Sequence, residues 1–273
     1  MKTRILTALF LFPPAIYLIG WSPLWLFAGA ALVLAALALH EYFALCRASG
    51  IRVIAVIGYA GAVGVCLAQA RAVGGGVNFT FAVLGFFMLL LASVALFQIG
   101  ELKEYLAAVA ATAFGVFYVG LPFSFLISLR FGDPASGSHW IFVLFIVIWA
   151  GDIFAYFAGR AAGRHLLFPR VSPKKTWEGS VAGFLGSLAG AWAYTHWVWK
   201  SADVVIVMIL AGLVAVAGQV GDLVESAMKR GAGIKDSGGI LPGHGGVLDR
   251  VDALLFGSAF LWLALALRGS GLW

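Results

Sequence analysis

Nine runs, each about twenty residues long and poor in charge, follow one another along this 273-residue chain, at 5–21, 23–40, 52–70, 78–98, 105–129, 139–160, 179–198, 203–225 and 251–268. Inside hydrocarbon a backbone must satisfy its own hydrogen bonds, so only helices or a closed barrel can cross a bilayer. A helix needs ~20 apolar residues to do so. The runs lack the period-two alternation of barrel strands, which selects helices. Only 11% of the residues are charged, where a soluble domain carries about 25%. The sequence therefore predicts an all-α, polytopic membrane helical bundle of about nine transmembrane helices, built as a single integral membrane domain. The segment that follows Lys2 and Arg4 reads as a retained first helix, because hydrophobic spans continue after it.

Several residues inside the runs carry local expectations. Pro13, Pro14 and Pro122 should kink their helices, since each removes a backbone donor. The pairs Gly159/Gly163 and Gly186/Gly190 have GxxxG spacing and predict helix-packing faces. Cys46 and Cys66 stand far apart with no metal-ligand spacing, and read as small apolar fillers.

The formal net charge of +6 does not point to nucleic acid, because the cations sit in loops between spans. Their expected partners are anionic headgroups or an anionic substrate. Arg71, Arg130, Lys200 and Arg268 fall on one side of the predicted membrane and the other fourteen of the 18 basic residues on the opposite side. Positively charged loops stay cytoplasmic. The N-terminus is thus expected inside, the C-terminus outside, and the last long loop facing the cytosol.

Two of these loops are chemically unlike the rest, and with them residues 131–273 read as the catalytic half, after N-terminal spans in 1–130. The first, 160–178, ends in Ser-Pro-Lys-Lys-Thr-Trp-Glu, with Lys174 and Lys175 just before the seventh span. Thr176 or Ser172 can cap the helix that follows, with Glu178 in its first turn. Positive-inside anchoring alone would also explain a Lys-Lys pair.

The second loop, 226–250, runs SAMKRGAGIKDSGGILPGHGGVLDR and leads to Asp252. Its glycines, including Gly245 and Gly246, let backbone N–H groups approach a phosphate closely. Lys229, Arg230 and Lys235 supply donors and positive charge.

Carboxylates complete the pattern. Asp152, Asp222 and Glu225 lie within or at the ends of apolar runs, where an ionised group costs about 2.5–3.5 kcal/mol at mid-bilayer unless it is paired or metal-bound. Asp222 and Glu225 are three residues apart, as are Asp249 and Asp252, so each pair shares a helix face. Two carboxylate-bearing helix ends beside a basic, glycine-rich loop suit Mg²⁺ held against a nucleotide phosphate. The plain alternative is structural ion pairing, for example of Asp222 with Lys229. His244 fits a phosphate donor better than a general base, because phosphoryl transfer to an anionic nucleophile asks little of a base.

The run from Ser226 to Asp252, S-A-M-K-R-x4-K-D-x-G-x2-L-P-x-H-G-G-V-x-D-R-V-D, resembles the C-terminal signature of the phosphatidate cytidylyltransferase (CDP-diacylglycerol synthase) family. Asp152–Arg160 and Ser172–Gly179 resemble further stretches of that family, so the resemblance covers the C-terminal half. It implies Mg²⁺-dependent conversion of CTP and phosphatidate to CDP-diacylglycerol and pyrophosphate, at a site open to the cytosol, in a homodimer. Carried onto this chain, Asp222, Lys229, Arg230, Asp249 and His244 would be catalytic. Lys174, Lys175, Lys229, Arg230, Lys235, His244, Gly245, Gly246 and Arg250 would bind substrate. Asp222, Asp249, Asp252 and Asp152 would hold the metal, with Asp152 orienting it or serving a second cation. A bacterial inner membrane is the expected location. Two other classes remain. A CDP-alcohol phosphatidyltransferase would need a D-G-x2-A-R…G-x3-D-x3-D run that is absent here. A cation-coupled transporter of an anionic solute would place polar residues deep in several spans, whereas here they crowd one membrane face.

Overall fold

The computed structural model describes residues 13–239 and 245–271. Its helices are α1 (Leu24–Ala48), α2 (Ala55–Val73), α3 (Thr80–Gln98), α4 (Leu102–Gly115), α5 (Leu121–Phe131), α6 (Gly137–Ala162), α7 (Trp177–Trp197), α8 (Val204–Gly231) and α9 (Leu248–Gly269). Residues 13–20 are also helical. A hairpin of β1 (Leu166–Phe168) and β2 (Ser172–Thr176) is the one sheet among the described residues.

Seven stretches of the described residues are long and apolar enough to cross a membrane: α1, α2, α3, the continuous 102–131 rod, α6, α8 and α9. The chain is an integral, all-α polytopic membrane protein. The expected count of nine is not reproduced. The first expected run, 5–21, lies outside the described residues as far as residue 12, and only its second half is described. The seventh, α7, has the length of a span, but its polar residues and many glycines and alanines leave it too weakly apolar to rank with the others.

The chain packs as two compact units, Met1–Ala135 with Gly231–Val251, and Ser136–Arg230 with Asp252–Trp273. In the first unit α2 is central and touches α1, α3 and α5. Phe87, Leu91 and Val65 form its core with Val116. The α2–α3 packing depends on a missing side chain, since a Cβ on Gly61 would lie 2.5 Å from the Phe87 ring. Thr112 supplies a polar tie, its Oγ1 accepting from the Ile54 amide at 2.9 Å where α2 begins.

The expected kink at Pro122 takes a specific form. Residues Val116–Gly120 widen into one π-helical turn immediately before α5, which accommodates the missing donor and the ring without breaking the rod. Cys46 and Cys66 are both buried and free, as fillers should be.

In the second unit α6 packs extensively along α7. Small residues permit it: a Cβ on Gly186 would lie 2.5 Å from Phe154, and one on Gly190 would lie 3.0 Å from Ile146. Both glycines of the Gly186/Gly190 pair thus sit on a packing face. Ser187 adds a cross-helix bond, its Oγ donating to the Val147 carbonyl at 2.6 Å. Gln219 of α8 donates to the Ser180 carbonyl of α7 at 3.0 Å. On α9, the backbone near Asp252 comes so close to α8 that a Cβ on Gly221 would meet the Asp252 carbonyl at 2.6 Å.

Candidate active site

The second unit gathers charge at one end of its apolar helices. α8 is 28 residues long, or about 42 Å at 1.5 Å per residue, against roughly 30 Å of hydrocarbon. Counted from Val204, about twenty residues are used before Asp222 and Glu225 are reached, so the polar turn at 222–230 extends past the apolar stretch. Asp152 lies in the C-terminal half of α6 and Asp252 in the first turns of α9.

Asp252 lies within electrostatic range of two further acids. Asp222 and Asp152 both act electrostatically on Asp252, and so does Lys229. Asp252 itself is half-buried, with Oδ1 accepting from the Ala253 amide at 2.7 Å. Asp222 is ion-paired with Lys175 and also accepts from Ser226 Oγ at 3.4 Å. Lys229 pairs with the fully buried Glu225 one helical turn away. The ion pairs therefore differ from the Asp222–Lys229 pair that spacing alone allowed. Arg230 donates from Nε to the Val171 carbonyl at 3.3 Å, which ties α8 to the hairpin.

The hairpin explains how Lys175 reaches α8. Leu166 faces Thr176 and Phe168 faces Ser172, with an irregularity in register between them. Successive strand residues point to opposite faces. Lys175 thus turns inward to Asp222, and Lys174 is exposed. Thr176, not Ser172, caps α7, its Oγ1 accepting from the Gly179 amide at 3.1 Å.

Glu178 pins the other strand. It takes His165 Nδ1–H at 2.6 Å and the Arg164 amide at 3.2 Å. The His165 bond, with support from backbone amides, holds its carboxyl well below the usual range, at about 2. A lowered folded-state value gives stability that is complete above the ordinary value of 4.5 and is lost as the pH falls toward about 2. Protease nicking or amide exchange at 164–176 is accordingly expected to rise as pH drops through that window, and Glu178→Gln should abolish the acid limb.

In the first unit, the glycine-rich loop is held by two carboxylates. Asp249 Oδ2 accepts from the Ser237 amide at 3.1 Å and the Gly246 amide at 2.9 Å. Glu41, from α1, accepts from Val247 N–H at 3.0 Å and Leu248 N–H at 2.8 Å, and from Ser237 Oγ at 2.9 Å. Gly245 has φ +81, a left-handed conformation that glycine adopts without strain. Gly246 has no room for a side chain, because a Cβ would lie 2.1 Å from Ser237 Oγ and 2.4 Å from Glu41 Oε2. Gly246→Ala is therefore expected to destabilise the loop by about 1–3 kcal/mol through overpacking, read as faster amide exchange at Ser237 and Leu248.

Lys235 and Arg250 are exposed, and His244 lies outside the described residues. Glu41 escapes sequence reasoning, because hydropathy ends the second run at residue 40. The helix continues to Ala48, and an acid inside an apolar helix is the signal that could have found it.

Among the described residues no group of three or more His, Cys, Asp or Glu is arranged to hold a metal by protein ligands alone. Mg²⁺ usually takes one or two carboxylates and completes its shell with water and substrate phosphates, and Asp222 and Asp252, within electrostatic range of each other, offer that number. Asp152, Asp222, Glu225 and Asp252 bring four carboxylates to this unit, with Asp222 paired to Lys175 and Glu225 to Lys229.

The sequence profile of the cytidylyltransferase family matches residues 2–268. The chain belongs to this family. Among relatives of this cytidylyltransferase-family chain, a phosphatidate cytidylyltransferase of Brucella abortus (biovar 1, strain 9-941) is 47% identical over 157 residues. Proteins of the same name from Bacillus subtilis (strain 168) and Staphylococcus aureus (strain COL) are 42% and 43% identical over 150 and 141 residues. The first two alignments cover 55% of each chain, and the third 52% of this chain and 53% of the relative. The chain thus spans about half the length of the curated relatives it matches.

Proposed function

We propose that the chain is a phosphatidate cytidylyltransferase, transferring the cytidylyl group of CTP to phosphatidate and releasing pyrophosphate. The observation that carries this reading is the Lys175–Asp222 pair. It joins the Ser-Pro-Lys-Lys stretch to the helix that opens the 226–252 signature, 47 residues away, and both belong to the family resemblance. The names of the relatives support the same reaction.

In the reaction a phosphate oxygen of phosphatidate attacks the α-phosphorus of CTP. The new P–O bond forms as the bond to the β-phosphate oxygen breaks, and pyrophosphate carries away the bonding pair. The nucleophile is already an anion, so the protein's work is positioning and charge neutralisation. Lys175, Lys229 and Arg230 would offset charge on the phosphates, and exposed Lys174, Lys235 and Arg250 would draw anionic substrates in. Gly245 and Gly246 would offer backbone amides. Asp222 and Asp252 would hold Mg²⁺, with Asp152 orienting it or serving a second cation, and Asp249 is a further proposed ligand. Bound there, Mg²⁺ would supply charge stabilisation to the phosphates. His244 remains a proposed phosphate donor.

The bias of basic residues toward one side supports a site on the cytosolic face with the N-terminus inside, and the bacterial relatives favour an inner membrane. The homodimer is likewise part of the proposal.

The deciding experiment uses purified protein in detergent with phosphatidate, CTP and Mg²⁺, and with ATP, GTP and UTP as controls. Pyrophosphate release that is selective for CTP, requires both lipid and metal, and yields CDP-diacylglycerol supports the reading. No release from folded protein with any nucleotide rejects it.

A further inference from the structure

Glu41 is 2% exposed, in the C-terminal part of a 25-residue apolar helix. Such a residue is costly to keep and needs a compensating role. Its carboxylate accepts three hydrogen bonds, and every one of these donors belongs to the glycine-rich loop about 200 residues later. Two of the donors, the Val247 and Leu248 amides, lie at the start of α9, where the first N–H groups have no intrahelical partner and the helix dipole favours negative charge. The third, Ser237 Oγ, lies on the other limb of the loop. Glu41 thus ties both limbs together from a distant helix. Two glycines accommodate it: a Cβ on Gly238 would fall 2.3 Å from Glu41 Oε1, and Gly246 is equally closed to a side chain.

Asp249 completes the same knot, binding the Ser237 and Gly246 amides. The frame that fixes Asp249, Gly245 and Gly246 is therefore fastened by Glu41, a residue of the N-terminal half. We infer that Glu41 is the positioning residue of the glycine-rich loop, setting Asp249 and the loop amides in their working arrangement without itself touching substrate. This inference rests on the reaction proposed above.

Glutamine is the informative substitution, because it keeps the shape of Glu41 but can accept on one terminus only. Each lost bond to a charged acceptor is worth about tenfold or more in an equilibrium. Glu41→Gln is expected to speed amide exchange at Val247 and Leu248 by about tenfold, with exchange in α6 to α8 unchanged. Turnover per folded molecule should fall about 30-fold while KM for CTP moves less than about threefold, since misplacing groups weakens the transition state more than ground-state binding. Loss of folded protein alone would not produce that split. Ser237→Ala removes a single donor and should show the same pattern at smaller amplitude, about threefold in turnover.

Unchanged exchange at Val247 and Leu248 overturns the inference. So does faster exchange with turnover within about twofold of the parent, or a turnover loss carried by KM. If Glu41→Gln does not fold, the Ser237→Ala measurements decide by the same criteria. Should the parent protein make no CDP-diacylglycerol, the reaction falls, and the exchange arm still tests whether Glu41 fastens the loop.

Discussion

Asp222→Asn is expected to lower the proposed CDP-diacylglycerol formation by about 10³-fold while the protein still inserts and melts near the parent temperature. Asparagine keeps the shape and leaves Lys175 an acceptor, so the structural loss is that of a partly exposed ion pair, about 1 kcal/mol. Both partners are roughly a third exposed, at 30% and 33%, which is why water screens so much of the pair. The catalytic loss is of another order. A group that stabilises developing charge in a preorganised site is worth about 10²–10³ in rate, and the loss of a metal-binding charge adds to it. The measurement is turnover per folded molecule across a Mg²⁺ titration, in which the variant should need far more metal. Turnover within about tenfold of the parent, at the same Mg²⁺ requirement, would remove Asp222 from the proposed metal site.

The second large effect separates two roles of one residue. Asp249 fastens the Ser237 and Gly246 amides through a single oxygen, Oδ2, and asparagine can present a carbonyl oxygen in the same place. Asp249→Asn should therefore keep slow amide exchange at Ser237 and Gly246, yet lose turnover by at least about 10²-fold if the charge serves the metal. Asp249→Ala removes the acceptor as well and should add fast exchange at both amides. Near-parent turnover in Asp249→Asn, with the loop still protected, would leave Asp249 a purely structural residue and sink its assignment as a metal ligand.

Asp222 and Glu41 were legible in the sequence to different degrees. Asp222 can be singled out from the sequence, since a carboxylate at the end of an apolar run is expensive wherever the helix packs. The same reasoning would reach Glu41 if hydropathy placed the helix end correctly. Helix boundaries depend on capping and packing more than on hydropathy, and the eight residues of α1 past His40 are a mixture that hydropathy reads as loop.

The sequence by itself determined that this chain is an all-α membrane protein, because no other use of so many apolar runs satisfies the backbone in lipid. It also supplied the residue types of the proposed phosphate-handling site, lysines, carboxylates and glycines in close spacing, and the run from Ser226 to Asp252 suffices to suggest the family. Partner choice was decided only in three dimensions. Asp222 had Lys229 available about two helical turns away and took Lys175, because β2 turns that lysine inward while the lysine before it faces out. Lys229 went instead to Glu225. The assignment of residues 231–251 to the first unit was likewise beyond the sequence. Within that unit Glu41 binds amides about 200 residues distant, and backbone amides carry no identity that a sequence pattern could reveal.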